Sequence, residues 1–114
     1  MRHLTGLKEA VFHPAVRSVI RAFPPGVRHA LGGAIWDLQR GLRIGMPLSR
    51  SMPSIAPGAA ELRVKDRSGA YRVFYVSATA QGVLVFHAFT KKTAKTPDAE
   101  IRLAKKRLRE LLDG

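Results

Sequence analysis

Three cations stand at strand spacing in the middle of the chain: Arg63 and Lys65 alternate with Leu62 and Val64, and Arg72 follows across the turn Asp66-Arg67-Ser68-Gly69. Side chains on neighbouring antiparallel strands come within about 5 Å of each other, and like charges that close are unfavourable unless an anion bridges them. A phosphate is a natural bridge, because guanidinium pairs with it through two parallel hydrogen bonds. The other reading is three solvated charges on a strand face. A second group follows at the end of an apolar run: His87, Lys91, Lys92 and Lys95. An imidazole titrating near neutrality suits proton transfer, which makes His87 a candidate general acid or base. Its rival reading is a core histidine sharing a face with Val85 and Phe89. Lys91, Lys92 and Lys95 read as phosphate contacts or as solubilising charges after a strand. Tyr71, Phe74, Tyr75, Phe86 and Phe89 interleave with these cations. That arrangement is compatible with stacking unpaired bases, although core packing is the commoner use of such aromatics.

The elements that must position these groups follow from the apolar periods. Ala10 to Phe12 reads as a short strand, and Pro14 suits a first helical position. Val16, Val19, Ile20 and Phe23 then fall on one helical face until Pro24-Pro25-Gly26 interrupts. A second helix carries Val27, Ala30, Leu31, Ala34 and Leu38 as its stripe, with Gly41 as its stop. Gly32-Gly33 inside it implies a close helix–sheet approach, and Trp36 reads as a packing residue. Residues 42–60, with three prolines, form a long connection able to drape over a binding face. From Glu61 the period becomes two, giving a hairpin; Gln81-Gly82 marks a second turn before Val83–Phe89. In the return strand Tyr71, Val73 and Tyr75 point one way and Arg72, Phe74 and Val76 the other. Thr96-Pro97 offers an N-cap and first-turn proline for a last helix. Its stripe is Ile101, Ala104, Leu108 and Leu111, with Arg102, Lys105, Lys106 and Arg109 outside it. The expected order is β-α-α-β-β-β-α, as one domain over residues 1–114.

Lys+Arg 20 against Asp+Glu 8 gives a net charge of +12, spread along the whole chain, and so a polyanion or an acidic protein is the natural partner. With 46% hydrophobic residues, these charges are displayed on a packed scaffold and not on a disordered one. The chain has no cysteine, which excludes disulfide and thiol chemistry, and its four histidines lack ligand spacing, so no metal site and no cofactor are expected. His3, His13 and His29 receive no role. No apolar run reaches membrane-spanning length and the start lacks a signal-peptide core, which points to a cytoplasmic protein. A DNA-binding role is disfavoured, since no helix-turn-helix with a short turn is evident.

Three segments taken together, WDLQRG at 36–41, ELRVKDRSGAYRVFYV at 61–76 and FHAFTKKTAKTPDAEI at 86–101, resemble the phage-derived branch of the HigB/RelE-like toxins of type II toxin–antitoxin systems. The resemblance covers roughly residues 9 to 112, ending in the basic helix about Ala104 to Arg107. It implies a RelE-like α+β fold, a small and mostly antiparallel sheet with an N-terminal helical hairpin and a C-terminal helix. It also implies a ribosome-dependent mRNA endoribonuclease that works without metal, by attack of an RNA 2′-OH on its own phosphate. On that reading Arg72, His87 and Lys91 are the catalytic positions, with Arg72 the phosphate clamp, and Arg63, Lys65, Lys92 and Lys95 hold RNA. The implied partners are mRNA on the ribosome and a helix-turn-helix, HigA-like antitoxin, with a higher toxin–antitoxin assembly and no membrane. Two departures stand out. No tyrosine follows Tyr75, where many relatives in the wider superfamily use one near the C terminus, and the connection at 46–60 has less lysine and glycine than that branch. The alternative function is a non-catalytic, basic RNA- or ribosome-binding module.

Overall fold

The computed structural model describes residues 6–114, so His3 lies outside the described residues. The chain runs β1 (Ala10–Phe12), α1 (Pro14–Arg21), α2 (Pro25–Gln39), β2 (Ser49–Ser51), β3 (Ala59–Asp66), β4 (Gly69–Thr79), β5 (Gly82–Lys91) and α3 (Asp98–Asp113). One sheet of order β1-β5-β4-β3-β2 is antiparallel except for the β1–β5 pair. This mixed architecture is consistent with the expected RelE-like α+β fold.

Helices α1 and α2 lie on one face of the sheet. Pro14 opens α1, and the His13 ring caps it by accepting from the Ala15 N–H at 3.1 Å. Val16, Phe23, Val27, Leu31, Ala34, Ile35 and Leu38 then close on Leu62, Tyr71, Val73, Tyr75, Val83 and Val85. The stripe of α2 is shifted from the expected one: Ile35 is buried and Ala30 is exposed. Gly32 and Gly33 do not mark a close approach. They lie on the exposed side of α2 with no atom near a would-be side chain. Trp36 shares that side and is 48% exposed, so it is a surface residue and not a packing one. Gly41 ends the helix with a φ of +84°, as expected.

The opposite face packs Ala59, Phe74, Val76, Leu84, Phe86 and Phe89 against Ala104 and Leu108 of α3. Helix α3 begins one residue later than Thr96-Pro97 suggests: Pro97 is its N-cap, without a side-chain cap bond, and Asp98 and Glu100 occupy its first turn. The 42–60 connection contains an unforeseen strand. Backbone pairing of Ser49–Ser51 with Ala60–Leu62 adds β2 to the edge of the sheet, in a segment with no alternating apolar residues to announce it.

Two sites break the regular ladder. At the start of β5, Gly82 has a φ of +111° and lies so close to the Glu9 carbonyl that a Cβ would collide with it; the adjacent Val83 N–H donates to that carbonyl at 2.8 Å. Farther along, Phe74 pairs with His87 but Tyr75 pairs with Val85, which leaves Phe86 as a bulge. Such an extra residue reverses the alternation beyond it. His87 and Phe89 consequently face α3, while Val85 faces α1 and α2; the expected common face of the three does not exist.

Candidate functional site

Helix α3 covers only part of its face of the sheet. Beyond its first turn the strands present charged residues, because inward positions change there from apolar to polar: Ala59 to Glu61 and Arg63 on β3, Phe74 to Arg72 on β4, Phe89 to Lys91 on β5. The ladder sets Arg50 opposite Glu61 and Arg63 opposite Arg72. The result is an open cleft of about 470 Å³ lined by Arg50, Glu61, Arg63, Arg72, Lys91 and Lys95, with Met52 and Ile101 as apolar contacts.

At its centre is a buried ion pair. Glu61 is 2% and Arg72 8% exposed, and the Arg72 Nε lies 3.1 Å from Glu61 Oε1. The angle closes no hydrogen bond, so Arg72 Nε, Glu61 Oε1 and the neighbouring Arg63 Nε have no hydrogen-bond partner within the protein. Unsatisfied buried polar atoms are costly, and here Arg72 Nε and Glu61 Oε1 offset part of that cost by facing each other as an ion pair in the wall of the cleft. Burial pulls the Arg72 guanidinium below its ordinary pKa; Glu61 opposes this, and Arg63 and Arg50 add to it. Arginine nonetheless stays protonated at physiological pH.

Lys91 reaches the cleft but is already engaged: its Nζ donates to the carbonyls of Thr93 and Ala94, at 2.6 Å each, pinning the 92–97 loop at the rim. Lys95 lies on that loop and lines the cleft, whereas Lys92 is exposed and does not. Lys65 is on the same sheet face, two positions beyond Arg63, exposed and outside the cleft. The structure thus gathers Arg63, Arg72, Lys91 and Lys95 and leaves Lys65 and Lys92 at the periphery.

His87 is not part of this group. It is 2% exposed, with the rings of Phe74 and Phe89 at 5.6 and 5.5 Å. An Arg107 N–H donates to His87 Nδ1 at 2.8 Å, so the ring proton sits on Nε2 and is donated to Glu100 Oε1 at 2.7 Å. Burial pulls its pKa below 6.5, Glu100 opposes and Arg107 reinforces, which keeps the imidazole neutral. The packed alternative for His87 is the one this geometry favours: it holds α3 to β5. The five aromatics are buried as well, leaving no ring face open for base stacking.

Sequence reasoning missed Arg50 and Glu61. Arg50 sits in the strand that went unseen. Glu61 carried a signal, being the one acid two and four residues before Arg63 and Lys65 on a single strand face.

The fold and cleft define a small α+β protein with a cationic site on an otherwise packed sheet. Residues 18–109 match the family described as Phage derived protein Gp49-like, and the chain belongs to it. That family is associated with toxin–antitoxin systems. No curated protein matches the chain. Among the described residues, no helix is long and apolar enough to cross a membrane.

Proposed function

We propose that this protein is the toxin of a type II toxin–antitoxin pair, a HigB/RelE-like endoribonuclease that cuts mRNA on the ribosome and thereby inhibits translation. The observation supporting this most strongly is the cleft, where Arg50, Arg63, Arg72, Lys91 and Lys95 converge around buried Glu61. In the proposed reaction an RNA 2′-oxygen bonds to the adjacent phosphorus as the P–O5′ bond breaks, leaving a cyclic phosphate and a 5′-hydroxyl. Glu61, the buried carboxylate of the cleft, takes the 2′-OH proton. Arg63 and Arg72 neutralise the charge that builds on the phosphate, which is where preorganised cations contribute most. The Lys91 ammonium uses two of its hydrogens on the rim carbonyls and gives the third to the leaving oxygen. The partners proposed are ribosome-bound message and a helix-turn-helix antitoxin, with the cytoplasm as the place of action.

Inducing the protein in bacteria should stop growth, and message from those cells should carry new 5′-hydroxyl ends within coding regions. Normal growth with intact message, at confirmed soluble expression, would overturn the proposal. A second reading has a specific observation behind it: Lys91 and both nitrogens of His87 are engaged within the protein, as suits a binding module without catalysis. That reading requires RNA or ribosome binding without new ends.

A further inference from the structure

Two carboxylates line the cleft, and they are held in opposite ways. Glu61 is buried and faces Arg72 at 3.1 Å. Asp98 is exposed, and among the described residues no salt bridge involves it. Four cations besides Arg72 line the same cleft, and Arg102 follows Asp98 at i+4, a spacing that allows an ion pair. An acid in the first turn favours the helix dipole, a role that Asp98 shares with Glu100. The dipole does not account for what surrounds it. Ile101, three residues on and so on the same side of α3, lines the cleft with it, and Met52 lines it from beyond β2. Both are partly buried extensions of the dry cluster beneath α3. The loop that leads into Asp98 is held by the Lys91 bonds to the Thr93 and Ala94 carbonyls, at 2.6 Å each.

The cleft therefore has two kinds of lining. Strands β3, β4 and β5 supply cations, while α3 supplies apolar carbon beside a group that only accepts hydrogen bonds. A nucleotide is divided in the same way, into an anionic phosphate and a flat base with apolar faces and a polar edge. The volume of about 470 Å³ lies within the range of about 300–1,000 Å³ usual for small-ligand sites. The four bases differ in what they offer a carboxylate. Guanine presents N1–H and N2–H₂ side by side, two donors for two oxygens. Adenine and cytosine set an amino group beside a ring-nitrogen acceptor, and uracil sets one N–H between two carbonyls. Each of these three brings a lone pair against a carboxylate oxygen.

We propose that Asp98 determines the base specificity of the cleft, accepting from the N1–H and N2–H₂ edge of a guanine whose ring lies against Ile101 and Met52. The proposal rests on the cleft binding RNA.

The test is a binding titration of the full chain with the trinucleotides UGU, UAU, UCU and UUU. The parent should prefer UGU by about 5- to 150-fold, the range of one good bidentate base contact. Asp98→Asn, checked for an unchanged melting curve, exchanges one acceptor for a donor. It should reduce UGU to the level of the other probes and strengthen UAU, because an amide pairs with adenine through two bonds. Asp98→Glu should keep guanine as the preferred base. A part played only in the helix dipole leaves the ratios between probes unchanged in Asp98→Asn. That result would overturn the assignment, as would equal binding of all four by the parent or a preference for another base. Arg72→Ala should weaken all four alike in the folded fraction, because it meets phosphate. Binding of none of the four would overturn the cleft as an RNA site and the guanine contact with it. Failure of the cleft thus shows on every probe at once, and failure of the base contact only in their ratio.

Discussion

At one end of the sheet face beneath α3, Phe74, Val76, Leu84 and Phe86 meet Ala104 and Leu108 and shut out water. At the other, the same neighbouring strands raise Arg72 and Lys91, and β3 raises Glu61 and Arg63, where only the first turn of α3 and the 92–97 loop form a wall. The two ends differ because the inward side chains change character within two residues along each strand. The dry end also acts on the open one: low-dielectric packing next to Arg72 and Glu61 strengthens their field in a way that water on all sides would not allow. A small sheet therefore serves as core and as the floor of the candidate site at once.

The largest expected effect on this comparison is at the open end. Arg72→Ala should lower cleavage of ribosome-bound message by about 10²–10³, measured by primer extension on a defined message. It should also lower stability, since it strands the buried Glu61 carboxylate; a loss of roughly 3 kcal/mol is the scale for breaking such a pair. Glu61→Gln/Arg72→Ala should recover part of that stability and none of the activity. Cleavage by Arg72→Ala at the parental rate would remove the cleft from the mechanism.

Leu108→Ala at the closed end should do the reverse. Opening a cavity beside Phe74 and Phe86 costs about 2–5 kcal/mol in chemical denaturation, while the folded fraction cleaves normally.

His87 sits between the two ends, and His87→Gln sharpens the boundary. Losing its bonds to Glu100 and Arg107 should cost about 1–3 kcal/mol, with cleavage by the folded fraction reduced less than tenfold. A drop of 10² or more without loss of stability would return His87 to the catalytic set. The pH dependence follows from its depressed pKa. The unfolded chain takes up a proton near pH 6.5 and the folded chain only at lower pH, so stability is complete above 6.5 and falls as pH drops below it. Denaturant melts at pH 7.5 and 5.5 should show that loss in the parent and a smaller one in His87→Gln. The smallest effect belongs to Lys92→Ala, exposed and outside the cleft: stability within about 0.5 kcal/mol and cleavage within a few-fold of the parent.

Much of the fold was legible in the sequence because period-two and helical stripes are long in β3, β4, α1 and α3, and proline and glycine punctuate them. Arg63 and Arg72 were legible as candidate site residues for the same reason, since strand alternation fixes their side of the sheet, whereas Lys91 and Lys95 stood out only as cations after the apolar run: a bulge sets the side of Lys91, and Lys95 lies on a loop. What stayed hidden has physical causes. The β2 strand is held by backbone bonds at a solvent edge, so Ser49, Arg50 and Ser51 show no apolar alternation, and Arg50 vanished with them. The partner of Glu61 is set by register across strands, which spacing within one strand does not reveal. The burial of His87 depends on a bulge and on Arg107 reaching back from α3 across 20 residues of chain.

The bulge at Phe86 carries one more consequence, for how this chain tolerates insertions and deletions. With regular alternation, Lys91 and Phe89 would share the side of Val85, beneath α1 and α2, and the cleft would lose its lysine to the wrong side of the sheet. A single-residue deletion at Phe86 takes out the extra residue and leaves His87, Phe89 and Lys91 on the α3 side, whereas straightening the strand with Phe86 kept turns all three over. In comparing relatives, a one-residue gap placed between Val85 and His87 marks a protein that lacks the bulge yet keeps its lysine on the cleft side of the sheet.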